Sequence, residues 1–547
     1  MHGYKRNRAL FLLIPLLTMA SCNPTPSNGS SQDATSLITE ESSATSELIA
    51  PRDYEIDPTV TNENGDVYYE IFVRSFADSN GDQKGDLKGI ENKIPYLADL
   101  GVSGLWLTPI GPSPSYHGYD VMDYKGIHAD FGTLSDFDNL MATANDHHID
   151  IILDLVLNHS SNSHPWFLEG KENFRTNNFS KDDPYNKANW YNFMWNNGQV
   201  VTDDGTFGSH MPELKLDNIA VREEIVSIVK FWLDRGVKGF RLDAASHFYD
   251  NATENITFLT WFTNIVKAER ADAYIVAEAF IPSFNLQKVY YSGVESLFNF
   301  SGADVNGYII DKITSRTGST IAYQIAKNYN DMFEINENGL MAMFLSNHDM
   351  DRSSQMFLFD FESRQKVAAS IYLLTPGVPF IYYGEEIALK GSRMINQTDA
   401  NRRLPMIWQK TNDTERTGLP PLTDYPMSQQ VKDGVKENSE LPFSLLNHYK
   451  KVISVRNSYA WIKTARVENF GLNNNALASL KFVSRDGGAN IHVIHNVQDT
   501  AQTVDLSRFI EEELIIKHDI YAVGTRALLE GSTLTIAPYS SVVLERK

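Results

Sequence analysis

From Val67 onward the chain alternates short apolar runs with amphipathic stretches. Val67–Phe72 and Gly104–Leu107 read as strands, and Ile151–Leu155 (IILDL) as a buried one. Gly239–Leu242, Tyr274–Ala277 and Pro379–Tyr383 continue the series. Helical patterns lie between them. In Val221–Asp234 the apolar residues Ile225, Ile228, Val229, Trp232 and Leu233 follow the i, i+3, i+4, i+7, i+8 stripe, and Gly236 stands just past the end. Thr133 predicts an N-cap, with Asp136 three residues on. Repeated βα units imply a parallel sheet, and the chain is long enough to close one into a barrel.

The alternation pauses between His159 and about Asp217, in an aromatic and polar stretch with NWYNFMW at 189–195. Coming after the third clear strand, it predicts a large βα insertion over the C-terminal face of the sheet. Its aromatic run predicts packing within the insertion, with a stacking platform for a ligand as the alternative. After about Ile462 the segments LASLKFVS, ANIHVIHNV, DIYAVG and STLTIAPYSSVVLE read as strands with turns between them, hence a small all-β domain. The N-terminus differs again. Lys5, Arg6 and Arg8 precede the apolar run Ala9–Ala20, which is short for a spanning helix and has the form of an export signal. Ala20, Ser21 and Cys22 then resemble a bacterial lipobox with Met19 in place of the usual Leu, so lipidation is expected at Cys22. Residues 22–57, rich in Ser, Thr and Pro, predict a flexible tether.

Composition narrows the partners. The chain has 547 residues, 42% hydrophobic and 21% charged, as expected of a globular protein rather than a disordered or multi-span one. Its net charge of −21 would be repelled by a phosphate backbone, so no nucleic acid partner is expected. The single Cys excludes an intramolecular disulfide framework and any Cys-rich metal site.

Four segments carry acids or histidines at strand ends: DLVLNH (154–159), GFRLDAASH (239–247), VAEAF (276–280) and FLSNHD (344–349). Strand C-terminal ends converge on one face of a parallel barrel, so Asp243, Glu278 and Asp349 can meet there. Arg241 and Asp243 project to the same side of one strand, and a cation there keeps the carboxylate ionised, as a nucleophile requires. Glu278 lies between Ala277 and Ala279, a setting that raises a carboxyl pKa and suits a general acid.

These four segments, in this order, resemble the conserved regions of the α-amylase family, the family 13 glycoside hydrolases. The resemblance covers the chain from about Val67 to its end. It implies an α/β fold: a (β/α)8 TIM barrel over 58–157 and 218–460, an inserted domain at 158–217 after the third strand, and a C-terminal β-sandwich at 461–547. It implies a retaining hydrolase with Asp243 as nucleophile, Glu278 as acid and base, and Asp349 holding sugar hydroxyls. It also implies substrate contacts from Tyr119, which would stack on glucose, from His117, His159 and His348, and from Arg241 and His247. Asp399 and Arg403, in TDANRRLPMIW, resemble a substrate-contacting pair one subsite away, and a surface ion pair is the competing reading. Asp154 resembles an acid that supports the barrel.

Two calcium sites are expected. DSNGDQKGD (78–86) spaces Asp78, Asn80, Asp82 and Asp86 as oxygen ligands for a hard cation. Gln83 and Gly89 at the turn-Gly and final-Glu positions exclude an EF-hand. The segment resembles the calcium loop after the first strand in many α-amylase relatives, with the Lys84 carbonyl as a further ligand. Asn158 and Glu213, with the His247 carbonyl, resemble a second site joining the insertion to the barrel.

Within the family, AAS before His247 looks amylase-like, and the MPELK segment (211–215) resembles the group between oligo-1,6-glucosidases and neopullulanases. Ser246 stands where a Lys is usual, which puts the aglycone-side contacts in question. Endo-hydrolysis of α-1,4-glucans by a monomeric lipoprotein, exported and held at a membrane, is the expectation. An exo-α-glucosidase, a cyclodextrin-cleaving enzyme and a catalytically silent glucan-binding surface protein are the alternatives.

Overall fold

The computed structural model describes residues 56, 59–62, 66–202, 205–357, 359–393, 397–522 and 524–547. The signal segment 1–21, Cys22 and all of the tether except residue 56 lie outside the described residues. Among those described, no helix is long and apolar enough to cross a membrane.

In chain order the strands begin β1 (Tyr68–Ile71), β2 (Gly104–Leu107) and β3 (Asp150–Leu155). A hairpin, β4 (Phe193–Asn196) with β5 (Gln199–Thr202), follows. Then come β6 (Gly239–Leu242), β7 (Tyr274–Ala277), β8 (Ser296–Phe298), β9 (Leu340–Ala342) and β10 (Phe380–Tyr382). Without the hairpin these make one parallel sheet of order β10-β1-β2-β3-β6-β7-β8-β9. The ring closes where Val378 N–H donates to Met341 O at 3.0 Å and Phe380 N–H to Met343 O at 2.8 Å. This is a (β/α)8 barrel.

Strand parity builds its two surfaces. Tyr68, Trp106, Ile152, Val276, Ala342 and Phe380 form one buried cluster, filling the barrel. Their neighbours Tyr69, Leu105, Ile151, Ala277, Met341 and Ile381 join the larger cluster outside, against the helices. The strands are therefore apolar on both faces, as sheets covered by helices must be. Glu70, Asp154 and Arg241 share the inward parity, with Asp154 directly opposite Arg241 in the β3–β6 register.

The helices start where the chain offers caps. α1 (Leu87–Leu100) begins after Asp86, whose carboxylate accepts the Gly89 N–H, and stops at Gly101, φ +94°. α2 (Leu134–Asp146) carries the capping box between Thr133 and Asp136. α3 (Pro165–Arg175) belongs to the insertion, and α5 (Ala252–Glu269) follows β6. α4 (Ile219–Leu233) starts two residues before the expected Val221, because Asn218 accepts the Ala220 N–H and caps it there.

Two strands escaped the sequence pattern. Ser296–Phe298 and Leu340–Ala342 are three residues each, too short to show any period. FLSNHD accordingly lies just beyond a strand rather than forming its end.

Between β3 and β6, α3 and the β4–β5 hairpin pack through aromatic rings. Trp166 meets Trp190 at 4.9 Å, and Phe167 meets Tyr191 at 5.2 Å. Trp190 and Tyr191 are buried; Trp195 remains 56% exposed. A bridge between His159 and Glu213 ties the two ends of this excursion together.

Beyond Ile462 the chain forms β11 (Arg466–Asn469), β12 (Leu477–Val483), β13 (Asn490–Asn496), β14 (Gln502–Asp505), β15 (Leu514–Ile520), β16 (Leu528–Glu530), β17 (Thr533–Ile536) and β18 (Ser541–Arg546). They make a five-stranded sheet, β11-β12-β13-β18-β15, and a three-stranded sheet, β14-β17-β16. Leu477, Ile494, Leu534, Ile536 and Val542 join in one core. The strand expected at 519–524 is in fact Leu514–Ile520. Its pairing slips between Ile516 and His518, which breaks the alternation.

Candidate active site

The inward-facing polar residues collect at the C-terminal ends of β1, β3, β6 and β7. Arg241, wholly buried on β6, is the hub. Its Nη1 donates to Asp154 Oδ1 and to Asp243 Oδ1, both at 2.7 Å. Its Nη2 lies 3.0 Å from Glu278 Oε2. Burial alone would lower its proton affinity, but Asp154, Glu278 and Asp243 more than reverse that, so it stays cationic. Asp154 is also bound by Trp106 Nε1 at 3.2 Å and the Tyr119 hydroxyl at 2.9 Å. With every approach taken by protein, Asp154 supports the site from below. Burial pushes its carboxyl up to about 6 against the pull of Arg241.

Asp243 and Glu278 are held by the same guanidinium yet differ in surroundings. Glu278 is 7% exposed, and burial, with the charges of Asp243 and Asp349, pushes it up to about 7. Arg241 and the Ala244 N–H, which donates to Glu278 Oε2 at 3.0 Å, restrain the rise. Ala244 has φ +47°, a strained conformation for a residue with a Cβ, immediately after Asp243. That turn aims its N–H at the neighbouring acid while Asp243 stays on the guanidinium.

Asp349 is arranged differently. His348 Nε2 stands 3.1 Å from its Oδ2, and Arg403 Nη2 donates to its Oδ1 at 2.8 Å. Burial would raise the carboxyl, but His348 and Arg403 hold it well below the usual carboxylate range. His348 is wholly buried and stacks on Tyr119, rings 5.3 Å apart at 12°. Burial would lower its pKa; Asp349 and Glu70 overcome that and push it up to about 10.

Asp243 and Asp349 line an open cleft of about 630 Å³, whose walls also include His117, Tyr119, His159, Asp399 and Arg403, while Glu278 adjoins it through Arg241. His117 Nδ1 accepts the Tyr119 N–H at 3.1 Å. His159 is 1% exposed, and its Nε2 has no hydrogen-bond partner among the described residues. Burial lowers the pKa of both histidines. His247 is exposed at the mouth, its ring 6.1 Å from Phe207, and is not among the cleft walls.

Asp399 and Arg403 do not pair. Asp399 binds Arg402 at 3.0 Å and lies 3.6 Å from Arg393, whereas Arg403 is buried on Asp349, the His348 carbonyl and the Tyr116 hydroxyl. The 3-10 turn Asp399–Arg402 rotates the two residues apart, so the competing reading of an ion pair between them is lost, while both still line the cleft.

Sequence reading missed Glu70, Phe207, Met211 and Leu422. Glu70, an acid midway along an apolar strand, was the one with a visible signal. Leu422 lines the cleft at φ +69° and 80% exposed, and no period marks it.

The two expected metal loops differ. Among the described residues, no three His, Cys, Asp or Glu side chains gather into a metal centre. In the first loop the acids fold the backbone. Asp78 accepts the N–H of Asn80, Gly81 and Gln83; Asp82 accepts that of Lys84; Asp86 accepts those of Ser79 and Gly89. Lys84 Nζ turns away to Asp130 at 2.6 Å, and no Lys or Arg among the described residues pairs with Asp78, Asp82 or Asp86. Three carboxylates without a cation, an Asn80 amide oxygen and the Lys84 carbonyl fit a hard cation in donor type and charge. In the second, Glu213 accepts the Thr206 N–H at 2.8 Å and Asn158 lies buried beside His159, on backbone segments joined where Leu214 N–H donates to Asn158 O at 2.9 Å.

Residues 70–465 match the family described as "Alpha amylase, catalytic domain". The chain is 35% identical over 486 residues to Alpha-amylase 3 of Dictyoglomus thermophilum, covering 88% of this chain and 93% of that one. It is 30% identical over 449 residues to a 4-alpha-glucanotransferase of Thermotoga neapolitana, covering 79% and 95%. Among solved structures, Eubacterium rectale Amy13B matches with a TM-score of 0.83 at 32% identity, over 90% of this chain and 97% of that one.

A raised carboxyl pKa costs stability once the group ionises. From the ordinary value of 4.5 up to about 7 the folded state binds more protons through Glu278 than the unfolded state does, so stability falls as pH rises through that window. Glu278→Gln should therefore raise the melting temperature at pH 8 and leave it little changed at pH 4, read by calorimetry. An equal shift at both pH values would contradict this.

Proposed function

The chain belongs to the α-amylase family of glycoside hydrolases, and we propose that within it this protein is an endo-acting α-amylase. It would cleave α-1,4-glucosidic bonds of starch, glycogen and maltooligosaccharides with retention of configuration. One observation carries the reading. A buried guanidinium joins Asp243, on the wall of an open cleft, to Glu278, whose carboxyl burial pushes up to about 7, with Asp349 on the same wall.

In the first step Glu278 gives its proton to the glycosidic oxygen as the C1–O bond breaks, and Asp243 forms a bond to C1. The leaving chain departs as an alcohol. In the second step a water oxygen attacks C1, its proton passes to Glu278, and the bond to Asp243 breaks. Two inversions leave the configuration retained and one water is consumed. Arg241 occupies Asp243 Oδ1, and Oδ2 takes no hydrogen bond from the described residues, so it is the oxygen available to C1. Asp349, with His348, His117 and His159, would hold sugar hydroxyls, and Tyr119 offers a ring face.

Hydrolysis and transfer part at the second step, where water or a sugar hydroxyl reaches the same intermediate. Similarity to both an amylase and a glucanotransferase supports the chemistry more strongly than the choice of acceptor. The longer and closer match to the amylase supports hydrolysis. We further propose that the 78–86 loop binds calcium through Asp78, Asn80, Asp82, Lys84 O and Asp86. Calcium there would neutralise the carboxylates and brace the start of α1. We propose too that Cys22 carries lipid, which would hold the enzyme at a membrane outside the cytoplasm, where polymeric glucan is met.

Three measurements test these readings. Incubated with starch, the enzyme should release mixed oligosaccharides early, and Asp243→Asn should slow this by about 10⁴-fold or more. Glucose released singly from chain ends would replace the reading with an exo-glucosidase, preferential opening of cyclodextrin with a cyclomaltodextrinase, and bound but uncut starch with a silent binder. Chelation should lower the melting temperature, calcium should restore it, and Asp82→Asn should abolish the difference; insensitivity to chelation removes the calcium proposal. Labelled palmitate should enter the wild-type chain and be lost in Cys22→Ser.

A further inference from the structure

Glu70 is a buried acid that the reaction itself leaves unused. It sits on β1 at 1% exposure, and among the described residues no Lys or Arg pairs with it. Its Oε1 lies 2.5 Å from His348 Nδ1 and also accepts the His348 backbone N–H at 3.3 Å. A buried carboxylate needs a compensating charge, and only the His348 ring is placed to supply it.

The other side of the ring determines where its protons are. His348 Nε2 meets the Tyr119 hydroxyl at 2.6 Å and Asp349 Oδ2 at 3.1 Å. Tyr119 has one hydroxyl proton, which it donates in a hydrogen bond to Asp154 Oδ2 at 2.9 Å. Toward His348 both Tyr119 and Asp349 therefore present acceptors, so Nε2 must carry a proton. Nδ1 faces a carboxylate and must carry one as well. We propose that Glu70 is a positioning residue of the active site: it fixes the His348 ring and keeps it doubly protonated, so that Nε2–H is always available as a donor beside Asp349.

The charges around the ring agree. Carboxyl groups stand around the ring from three elements, Glu70 on β1, Asp349 on its own loop and Asp154 on β3. Arg403, which donates to the His348 carbonyl, and Arg241 oppose them. The upward shift of the His348 pKa to about 10 follows from Asp349 and Glu70 outweighing burial. Glu70→Gln keeps the shape and removes one of the two anions in contact with the ring, so His348 should lose a proton near neutral pH. The proposal rests on the retaining mechanism for its consequence in catalysis, but the state of the ring can be read without substrate.

The test uses the full-length chain in two ways. Nitrogen chemical shifts of labelled histidine should show His348 cationic throughout pH 5 to 9 in the wild type and titrating within that range in Glu70→Gln. The rate kcat/KM on α-maltosyl fluoride, whose leaving group needs no acid, should be flat from about pH 6 to pH 9 in the wild type. In Glu70→Gln it should fall about tenfold over that interval, with KM little changed. Glu70→Asp, which keeps the charge, should restore the flat profile. A wild-type His348 that loses a proton below pH 8 overturns the proposal even if Glu70→Gln does not fold. So does a folded Glu70→Gln with an unchanged profile and a cationic His348. A cationic His348 in an enzyme that leaves maltosyl fluoride intact would keep the charge assignment and sink the retaining mechanism instead.

Discussion

One buried guanidinium governs the cleft. Arg241 touches Asp154, Asp243 and Glu278, carboxyl groups supplied by three neighbouring strand ends. Three acids could not be buried together without it, because each charge would be left unpaired in a medium that solvates it poorly. The barrel makes the gathering possible. Side chains of one parity point inward on every strand, and parallel strands end on one face, so distant segments deliver their polar ends to the same layer. A register slip of one residue on β6 would send Arg241 into the helices and leave the acids unpaired.

The same layer sorts its acids into different states. Glu278 is crowded by Asp243 and Asp349 and shielded from water, so it holds a proton near neutrality. Asp349 is met by His348 and Arg403 and stays charged far into acid. Neither outcome belongs to the residue type. Each follows from what stands within a few ångströms, which is how a site assembled from carboxyl groups can contain both an acid and a base.

Around this rigid floor the walls are irregular. Phe207 and Met211 come from the excursion between β3 and β6, and Leu422 comes from a loop anchored where Asn401 Oδ1 accepts the N–H groups of Asp424 and Tyr425. Loops set on a scaffold can vary without disturbing the chemistry beneath them.

Much of this was legible in the chain. The apolar runs at 104–107, 239–242 and 274–277 are strands as read, because burial on both faces leaves a continuous apolar stretch. The Thr133 cap of α2 and the glycine at 236 that ends α4, φ +94°, are local events, settled within one helical turn. Asp154, Asp243 and Glu278 could be placed on one face from barrel geometry, whereas Asp349 lies in the loop past β9. The three-residue strands at 296–298 and 340–342 could not be read, since their pairing comes from neighbours far along the chain. Nor could the partner of Arg403 or the role of Glu70, which meets a histidine 278 positions away. Periodicity and capping act along the backbone and are written in order. Charge and burial act through space, so which carboxyl keeps its proton and which arginine holds it was decided only when the barrel closed.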